Sequence, residues 1–182
     1  YLLHSMALVG GVRNIVVLLP HGDHDLIKVV RPDPVWVGDE HDVASRFVEY
    51  VENEKPDAFV RVCADSPLLD HRIVSHMVEI FTESTFFMLH NVGDKAGFPA
   101  GQHCEVVDSK FFLANKTTLD REHVTPTLYF LPRVRGYANM PQSPQPGLVV
   151  DTPEDFTRVR RVIEMAGGEP WQYTWRELQK WA

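Results

Sequence analysis

Residues 60–70 read Val-Arg-Val-Cys-Ala-Asp-Ser-Pro-Leu-Leu-Asp, a hydrophobic strand that runs into an acidic residue, a turn and the start of a helix. In an open α/β sheet, ligands bind where the carboxyl ends of the strands meet the loops that follow them. Asp65 stands at such a strand end, so it is the first candidate for a functional side chain. Asp70 is the predicted N-cap of the next helix, because aspartate accepts hydrogen bonds from the free N–H groups of a first turn.

A second acidic turn of the same kind lies far downstream. Residues 147–155 read Gly-Leu-Val-Val-Asp-Thr-Pro-Glu-Asp, again a strand, an aspartate and the start of a helix. Thr152 is the predicted N-cap of that helix, followed by a first-turn proline and by Asp155 at the third position. Taken singly, Asp65 and Asp151 also fit ordinary turn or cap positions, for which aspartate is a favoured residue.

The two strand-end aspartates together predict a magnesium site. Mg²⁺ binds a few carboxylate oxygens and takes its remaining ligands from water and substrate phosphates. We therefore expect Asp65 and Asp151 to approach each other at the mouth of the sheet, close enough to share one cation.

Strands and helices alternate along the chain. Continuous apolar runs predict buried strands, and apolar residues at helical spacing predict amphipathic helices. The predicted strands are residues 14–19, 35–37, 58–63, 85–90, 105–107 and 148–150. The predicted helices are residues 1–8, 21–28, 42–52, one from residue 70, one beyond residue 121, and one after residue 152 with Phe156, Val159 and Ile163 facing inward. Residues 132–146 are expected to be irregular, and the whole order predicts a three-layer α/β fold with a largely parallel sheet.

Length and composition fit a globular protein of one domain. The chain has 182 residues, of which 44% are hydrophobic and 24% are charged, enough for a core of its own. The formal net charge of -7 argues against binding of a nucleic-acid backbone, which needs clustered Lys and Arg. No apolar run is long enough to span a membrane, and no signal peptide is recognisable. Cys63 and Cys104 form no zinc-binding pair, so a reduced cytoplasmic setting is expected.

Four blocks of sequence resemble a known family in their order and approximate spacing. The blocks are residues 61–70, residues 98–105 (Phe-Pro-Ala-Gly-Gln-His-Cys-Glu), residues 121–126 (Arg-Glu-His-Val-Thr-Pro) and residues 150–155 (Val-Asp-Thr-Pro-Glu-Asp). They resemble SpsF-type cytidylyltransferases of spore-coat and surface-polysaccharide biosynthesis, relatives of the CMP-Kdo and CMP-sialate synthetases. Residues 38–43, with Arg46, are similar to the turn that helps to frame the nucleotide in this family.

The resemblance implies a Rossmann-like, glycosyltransferase-A-like nucleotidyltransferase fold and the transfer of CMP from CTP to a sugar. In that reaction a sugar hydroxyl attacks the α-phosphate, pyrophosphate leaves, and Mg²⁺ neutralises much of the charge. Asp65 and Asp151 match the two family positions that hold the metal, and they are the implied catalytic residues. The implied substrate-binding residues are Arg46, Arg61, Ser66, Gly101, Glu105, Arg121, Glu122 and His123. Relatives of this type commonly dimerise, so a homodimer is expected.

The chain departs from the family pattern in two places. Family members begin with a strand and a basic loop of the type Ala-Arg-x-x-Ser-x-Arg-Leu-Pro-Gly-Lys, which binds the triphosphate, and no part of this sequence matches it. Residues 1–182 are thus interpreted as one nucleotidyltransferase domain without that strand and loop, and we expect the gene product to include roughly twenty to thirty further N-terminal residues. One alternative is a non-catalytic sugar- or nucleotide-binding or assembly protein that keeps the fold, and a weaker one is a hydrolase that uses the same two aspartates. Residues 102–104 (Gln-His-Cys) stand where relatives carry smaller or acidic residues, so the resemblance does not indicate the acceptor.

Structural interpretations also fit several of these positions. Residues 121–123 match an exposed helix start with an internal ion pair. Residues 21–25 (His-Gly-Asp-His-Asp) match no tetrahedral zinc spacing and are interpreted as a solvated loop. Cys63 fits a core position better than a nucleophile. Three tryptophans near the carboxyl end, Trp171, Trp175 and Trp181, fit the packing of a terminal helix better than stacking on a base.

Overall fold

The computed structural model of the protein describes residues 1–30, 33–93, 96–139 and 147–182. In chain order its elements are α1 (Leu2–Met6), β1 (Val17–Pro20), α2 (His24–Val30), β2 (Val35–Gly38), α3 (Val43–Glu54), β3 (Ala58–Arg61), α4 (His71–Glu83), β4 (Met88–His90), β5 (Glu105–Asp108), α5 (Ser109–Ala114), β6 (Val134–Gly136), α6 (Pro153–Met165) and α7 (Trp175–Gln179). Short 3₁₀ turns occupy Lys116–Thr118, Pro126–Leu128 and Pro170–Gln172. None of the described helices is long and apolar enough to cross a membrane.

The described strands form two sheets. β1 and β2 pair in parallel, whereas the larger sheet has the order β3-β5-β4-β6. In the larger sheet β5 runs antiparallel to β3 and β4, and β6 runs parallel to β4. The predicted α/β class is confirmed, but parallel pairing is less dominant than predicted. The chain turns back from β4 into β5 through a loop, and a reversal of this kind makes an antiparallel pair.

The larger sheet lies between two hydrophobic clusters, which gives the three predicted layers. Leu89 and Val106 belong to one cluster, whereas their chain neighbours Met88 and Val107 belong to the other. Successive side chains of a strand point to opposite faces, so adjacent residues reach different layers. The helices contribute further fully buried residues, Met77 of α4 and Val162 of α6 to the first cluster, and Val51 of α3 and Phe112 of α5 to the second.

The carboxyl-terminal segment packs onto the body, as its tryptophans predict. Trp175 is buried, and its ring lies 6.0 Å from that of Phe98. Trp171 lies against His4 of α1, with ring centroids 3.9 Å apart. Trp175 therefore packs into the first hydrophobic cluster, and Trp171 joins the carboxyl-terminal segment to α1.

The prediction of a helix that begins just beyond residue 121 is wrong. Asp120 and Val124 pair as an isolated bridge, and Oδ1 of Asp120 accepts hydrogen bonds from the N–H groups of Glu122 and His123. The aspartate thus closes a turn, one of the local alternatives that a short polar side chain offers to a helix. Val124 has a φ of +69°, outside the range of a right-handed helix, and the chain continues only as the 3₁₀ turn Pro126–Leu128.

The remaining differences concern short segments. Residues 148–150, a predicted strand, form no sheet ladder in the described part of the chain. The N–H groups of Leu148 and Val150 donate to the carbonyls of Ala100 and Asp65 in loops instead. β6 falls within residues 132–146, which are predicted to be irregular, and residues 140–146 of that stretch lie outside the described residues. α5 has no counterpart among the predicted helices, although Asp108 caps it. Phe156 is 58% exposed rather than inward-facing, whereas Val159 is buried as predicted.

Gly101 allows a very close approach between two backbone segments. Its φ is +86°, and a Cβ at this position would lie 2.4 Å from the carbonyl carbon of Leu148 and 2.7 Å from the backbone nitrogen of Val149. Because both atoms belong to the backbone, no side-chain rotation could relieve the contact. The close backbone contact thus explains why position 101 requires glycine, independently of the substrate-binding role that the resemblance implies for it.

We expect Gly101→Ala to lower the free energy of unfolding by roughly 3 kcal/mol, since the added methyl group both collides with backbone and requires a positive φ. Gly168→Ala is the matched control, because Gly168 has φ +83° but a Cβ there would meet no atom within 4 Å. This control should lose only about 1 kcal/mol. Urea denaturation of both variants measures the difference, and equal losses would contradict the close contact.

Candidate active site

Asp65 and Asp151, predicted to follow strands directly, lie on hydrogen-bonded loop segments, because β3 ends at Arg61 and residues 148–150 form no described strand. The N–H of Val150 donates to the carbonyl oxygen of Asp65 over 2.8 Å, so Asp151 directly follows a residue that is bonded to the Asp65 loop. Both aspartates are exposed. Oδ1 of Asp65 accepts a hydrogen bond of 2.8 Å from the hydroxyl of the buried Ser66. The loop that carries Asp65 and the segment that carries Asp151 therefore meet here. A cation shared by the two carboxylates stays a prediction.

The start of α6 orients Asp151. Thr152 and Asp155 form a capping box, as predicted, and Oδ2 of Asp155 also accepts a hydrogen bond of 3.2 Å from the N–H of Asp151. The backbone on both sides of Asp151 is consequently held, while no hydrogen bond from the described residues engages its carboxylate.

The donor set at these two positions fits magnesium better than zinc. Among the described residues there is no group of three His, Cys, Asp or Glu side chains that could surround a metal ion. Mg²⁺ needs no such cage, since it is usually bound by one or two carboxylates together with water and substrate phosphates. Asp65 and Asp151 would be the residues to hold it, in the presence of a nucleotide.

Glu105 is the centre of a buried polar cluster beside this site. Its side chain is 1% exposed and forms an ion pair of 3.0 Å with Arg61, the residue opposite it on β3. Its other oxygen accepts hydrogen bonds from the hydroxyls of Thr125, over 2.6 Å, and Tyr129. The ring of His90 stacks on Tyr129 with centroids 4.3 Å apart. We call these five residues the Glu105 cluster.

Burial changes the acid–base behaviour of the cluster. It lowers the pKa of His90 below its usual value. Burial and the neighbouring charge of Glu105 raise the pKa of the Tyr129 phenol well above its usual range. Burial also lowers the pKa of His103 and raises the pKa of the Cys63 thiol. At neutral pH the imidazoles of His90 and His103, the phenol of Tyr129 and the thiol of Cys63 are therefore uncharged. Cys63 is thus not an activated nucleophile.

The Arg-Glu-His-Val-Thr-Pro block does not act as one unit. Arg121 is 79% exposed on its side chain and pairs over 2.9 Å with Asp42, the N-cap of α3. Glu122 and His123 lie exposed in the turn closed by Asp120. Thr125 of the same block is fully buried and bonds to Glu105. The contact that joins this block to the candidate site is therefore made by Thr125, which is not among the implied site residues.

Arg46, an implied substrate-binding residue, does not lie at the exposed surface. It is buried on α3, and Nη1 reaches the carbonyl oxygen of Leu18 on β1 over 3.4 Å. A Cβ at Gly38 of β2 would lie 2.8 Å from Cγ of Arg46. Arg46 thus packs beneath the β1–β2 pair, and its implied role in framing a nucleotide stays a prediction.

Two buried polar side chains that escape prediction, Gln102 and Asn91, hold the Asp65 loop from behind together with the predicted cap Asp70. Gln102 donates to the carbonyl of Leu68 over 2.7 Å and accepts from the N–H of Asp70 over 2.9 Å. Asn91 donates to the carbonyl of Gln102. The carboxylate of Asp70 caps α4, as predicted, and also accepts from the N–H of Trp175. The signal in the sequence is a polar residue inside an apolar context, which alone does not reveal its partner.

We expect Thr125→Val to lower the free energy of unfolding by about 1–3 kcal/mol, because it leaves a buried carboxylate without one of its donors. Thr157→Val is the matched control, since the Thr157 hydroxyl donates to the carbonyl of Pro153 on an exposed face of α6. The control should change stability by less than about 0.5 kcal/mol. Chemical denaturation provides both values, and a Thr125→Val protein as stable as the control variant would remove Thr125 from the cluster.

The lowered pKa of His90 predicts a loss of stability in mild acid. As pH falls through 6.5, the ordinary histidine value, the unfolded chain binds a proton at this position before the folded protein does. The free energy of unfolding therefore decreases as pH falls from about 7.5 towards 5.5. His90→Phe keeps an aromatic ring on Tyr129 and should show a weaker pH dependence. Denaturation curves of both proteins at the two pH values test this, and an unchanged pH dependence in the variant would contradict it.

Comparison with known proteins supports the resemblance deduced from the sequence blocks. No family model matches the chain. The chain is 28% identical over 152 residues to the spore coat polysaccharide biosynthesis protein SpsF of Bacillus subtilis (strain 168), an alignment that covers 75% of this chain and 59% of that protein. The chain thus spans about three fifths of the length of the curated relative.

Solved structures share the fold. A cytidylyltransferase from Leptospira borgpetersenii serovar Hardjo-bovis (strain JB197) superposes with a TM-score of 0.80 and 21% identity, covering 90% of this chain and 74% of that one. A CMP:2-keto-3-deoxy-manno-octonic acid synthetase in complex with CTP gives a TM-score of 0.67 and 15% identity, covering 90% and 86%. The nucleotidyltransferase fold predicted from the sequence is confirmed, and so is the resemblance to SpsF-type cytidylyltransferases.

Proposed function

We propose that this chain functions as a Mg²⁺-dependent cytidylyltransferase that transfers CMP from CTP to a sugar for surface-polysaccharide biosynthesis. The observation that carries the proposal is the hydrogen bond between Val150 and Asp65, which places the exposed Asp65 and Asp151 on adjacent segments. The similarity to SpsF and the shared fold with a CTP-bound synthetase support the same conclusion.

In the proposed reaction a sugar hydroxyl oxygen forms a bond to the α-phosphorus, and the bond from that phosphorus to the β-phosphate breaks. Pyrophosphate and a proton are released. Mg²⁺ bound by Asp65 and Asp151 would neutralise phosphate charge and help to orient the nucleotide. The chain itself has a net charge of -7, so a triphosphate needs local positive charge to bind here.

In this proposal the Glu105 cluster supports the part of the site that binds the sugar. Glu105 already accepts bonds from Arg61, Thr125 and Tyr129, so it has little remaining capacity to remove a proton from a sugar. Its role is to fix the surrounding side chains in place. Positioning of the two reactants provides much of the rate enhancement in reactions of this kind.

We expect Asp65→Asn and Asp151→Asn each to weaken binding of CTP in the presence of Mg²⁺ by at least about tenfold, since a neutral amide is a poor ligand for this cation. Calorimetric titration of CTP into the full-length gene product, with Mg²⁺ or with EDTA, measures the effect. Glu154→Gln is the matched control, because it removes an equal charge from an exposed neighbouring position and should bind CTP as the wild type does.

Two results would contradict the proposal. Binding of CTP that is equally tight in EDTA would exclude a role for the metal in nucleotide capture. Equal weakening in the Glu154→Gln control would show that only overall charge matters. Either result favours the non-catalytic sugar- or nucleotide-binding alternative.

A further inference from the structure

The segment that carries Asp151 is bonded through its backbone to two other loops. The N–H of Val150 donates to the carbonyl oxygen of Asp65 over 2.8 Å, and the N–H of Leu148 donates to the carbonyl oxygen of Ala100 over 2.7 Å. The position of Asp151 relative to Asp65 therefore depends on how the Asp65 loop and the Ala100 loop are held against each other.

The side chain of Gln102 connects those two loops directly. It is fully buried, donates to the carbonyl oxygen of Leu68 over 2.7 Å and accepts from the N–H of Asp70 over 2.9 Å. Because Gln102 lies two residues beyond Ala100 in the chain, the three segments are joined pairwise. Two of these three links are made by backbone atoms, whereas the link at Gln102 is made by a side chain and can be removed by substitution.

The Asp65 loop is stiff enough to transmit this link to the carboxylate. Pro67 has a fixed φ, and the N–H of Leu69 donates to the carbonyl oxygen of Ser66 over 3.2 Å. Ser66 is buried, and its hydroxyl donates to Oδ1 of Asp65 over 2.8 Å. A displacement of residues 68–70 would therefore move Asp65 as well.

Gln102 is itself fixed to the larger sheet. Nδ2 of Asn91 donates to the carbonyl oxygen of Gln102, and Oδ1 of Asn91 accepts from the N–H of Cys104, each over 2.7 Å. Asn91 is fully buried and directly follows β4. Its side-chain amide thus takes the place of a backbone ladder beyond the end of β4, and it gives Gln102 a fixed position from which to hold the Asp65 loop.

On the basis of the proposed function, we propose that Gln102 is a positioning residue that sets the separation of the Asp65 and Asp151 carboxylates for Mg²⁺. Mg²⁺ demands a near-ideal octahedral arrangement of its ligands, whereas Ca²⁺ accepts a flexible one. Loss of the Gln102 link should therefore weaken binding with Mg²⁺ far more than binding with Ca²⁺. This assigns a function to a position at which the chain departs from the family pattern.

The first experiment measures how Gln102→Met changes the cation preference. Methionine is similar in length and fills irregular buried space, but it removes both hydrogen bonds. CTP is titrated calorimetrically into the full-length gene product in EDTA, with Mg²⁺ and with Ca²⁺. We expect binding about tenfold weaker with Mg²⁺, a loss typical of residues that orient metal ligands, and less than about threefold weaker with Ca²⁺. Equal losses with the two cations, or no loss with Mg²⁺, would overturn the proposal.

The second experiment follows the same link in the metal-free protein. Amide hydrogen exchange is measured by NMR at Val150 and Leu148, whose N–H groups bond to the Asp65 loop and the Ala100 loop respectively. In Gln102→Met the amide of Val150 should exchange about tenfold faster, because local opening of the Asp65 loop becomes easier. The amide of Leu148 should keep its wild-type rate. Equal acceleration of both amides would indicate a general loss of stability and would overturn the positioning role.

Ser5→Ala is the matched control for these measurements. The buried hydroxyl of Ser5 donates to the carbonyl oxygen of Leu69 over 2.9 Å, so it bonds to the same loop but from α1. Ser5→Ala should leave the preference between Mg²⁺ and Ca²⁺ unchanged. A shift equal to that of Gln102→Met would show that any bond to this loop has the same effect, which contradicts a specific role for Gln102.

Gln102→Glu provides the test if the methionine variant does not fold. A neutral carboxyl group, which burial favours, offers the same donor and acceptor as the amide. In this variant the exchange rate at Val150 and the cation preference should change together or both remain as in the wild type. A change in one without the other would overturn the proposal.

The outcomes separate this inference from the proposed function. If wild-type CTP binding depends on Mg²⁺ and on Asp65, and Gln102→Met shows the wild-type cation preference, the inference fails while the proposed function stands. If wild-type CTP binding is the same in EDTA as in Mg²⁺, the proposed function fails, and the role of Gln102 in metal binding fails with it.

Discussion

The position of residues 147–151 is the constraint on which the rest of the candidate site depends. This segment carries Asp151, and its backbone passes residue 101 too closely for any side chain at that position. Its N–H groups then bond to the carbonyls of Ala100 and Asp65. Because these contacts are made by backbone atoms, the relation between the two acidic loops does not depend on any side-chain rotamer.

The Glu105 cluster shows how a buried charge is used in the same region. A buried ion pair alone is weak evidence for stability, because desolvation of both groups can exceed their attraction. Here the remaining oxygen of Glu105 is satisfied by Thr125 and Tyr129, which belong to a turn outside the sheet. The Glu105 cluster therefore connects that turn to the β3–β5 pair. It determines the position of the turn as well as contributing to stability.

Local signals predict the parts of this structure that depend on local interactions. The N-caps Asp70 and Thr152 can be identified from the sequence because capping involves residues a few positions apart. The turn at residues 120–124 is harder to predict, since the choice between a helix and a turn depends on one aspartate side chain. Thr125 and Gln102 could not be assigned at all from their own neighbourhoods. Their partners, Glu105 and the Asp70 loop, lie 20 and 32 positions away.

The carboxylates of this region differ in how many donors the protein supplies, and that difference separates their roles. An ionised carboxylate offers about four lone-pair positions. Glu105 is buried and accepts from three side chains, so little remains for a ligand. Asp65 is exposed and accepts from one hydroxyl, and Asp151 accepts from none of the described residues. The carboxylates with unused oxygens are exposed and can bind a ligand, whereas the saturated carboxylate of Glu105 is buried and serves to hold its neighbours in place.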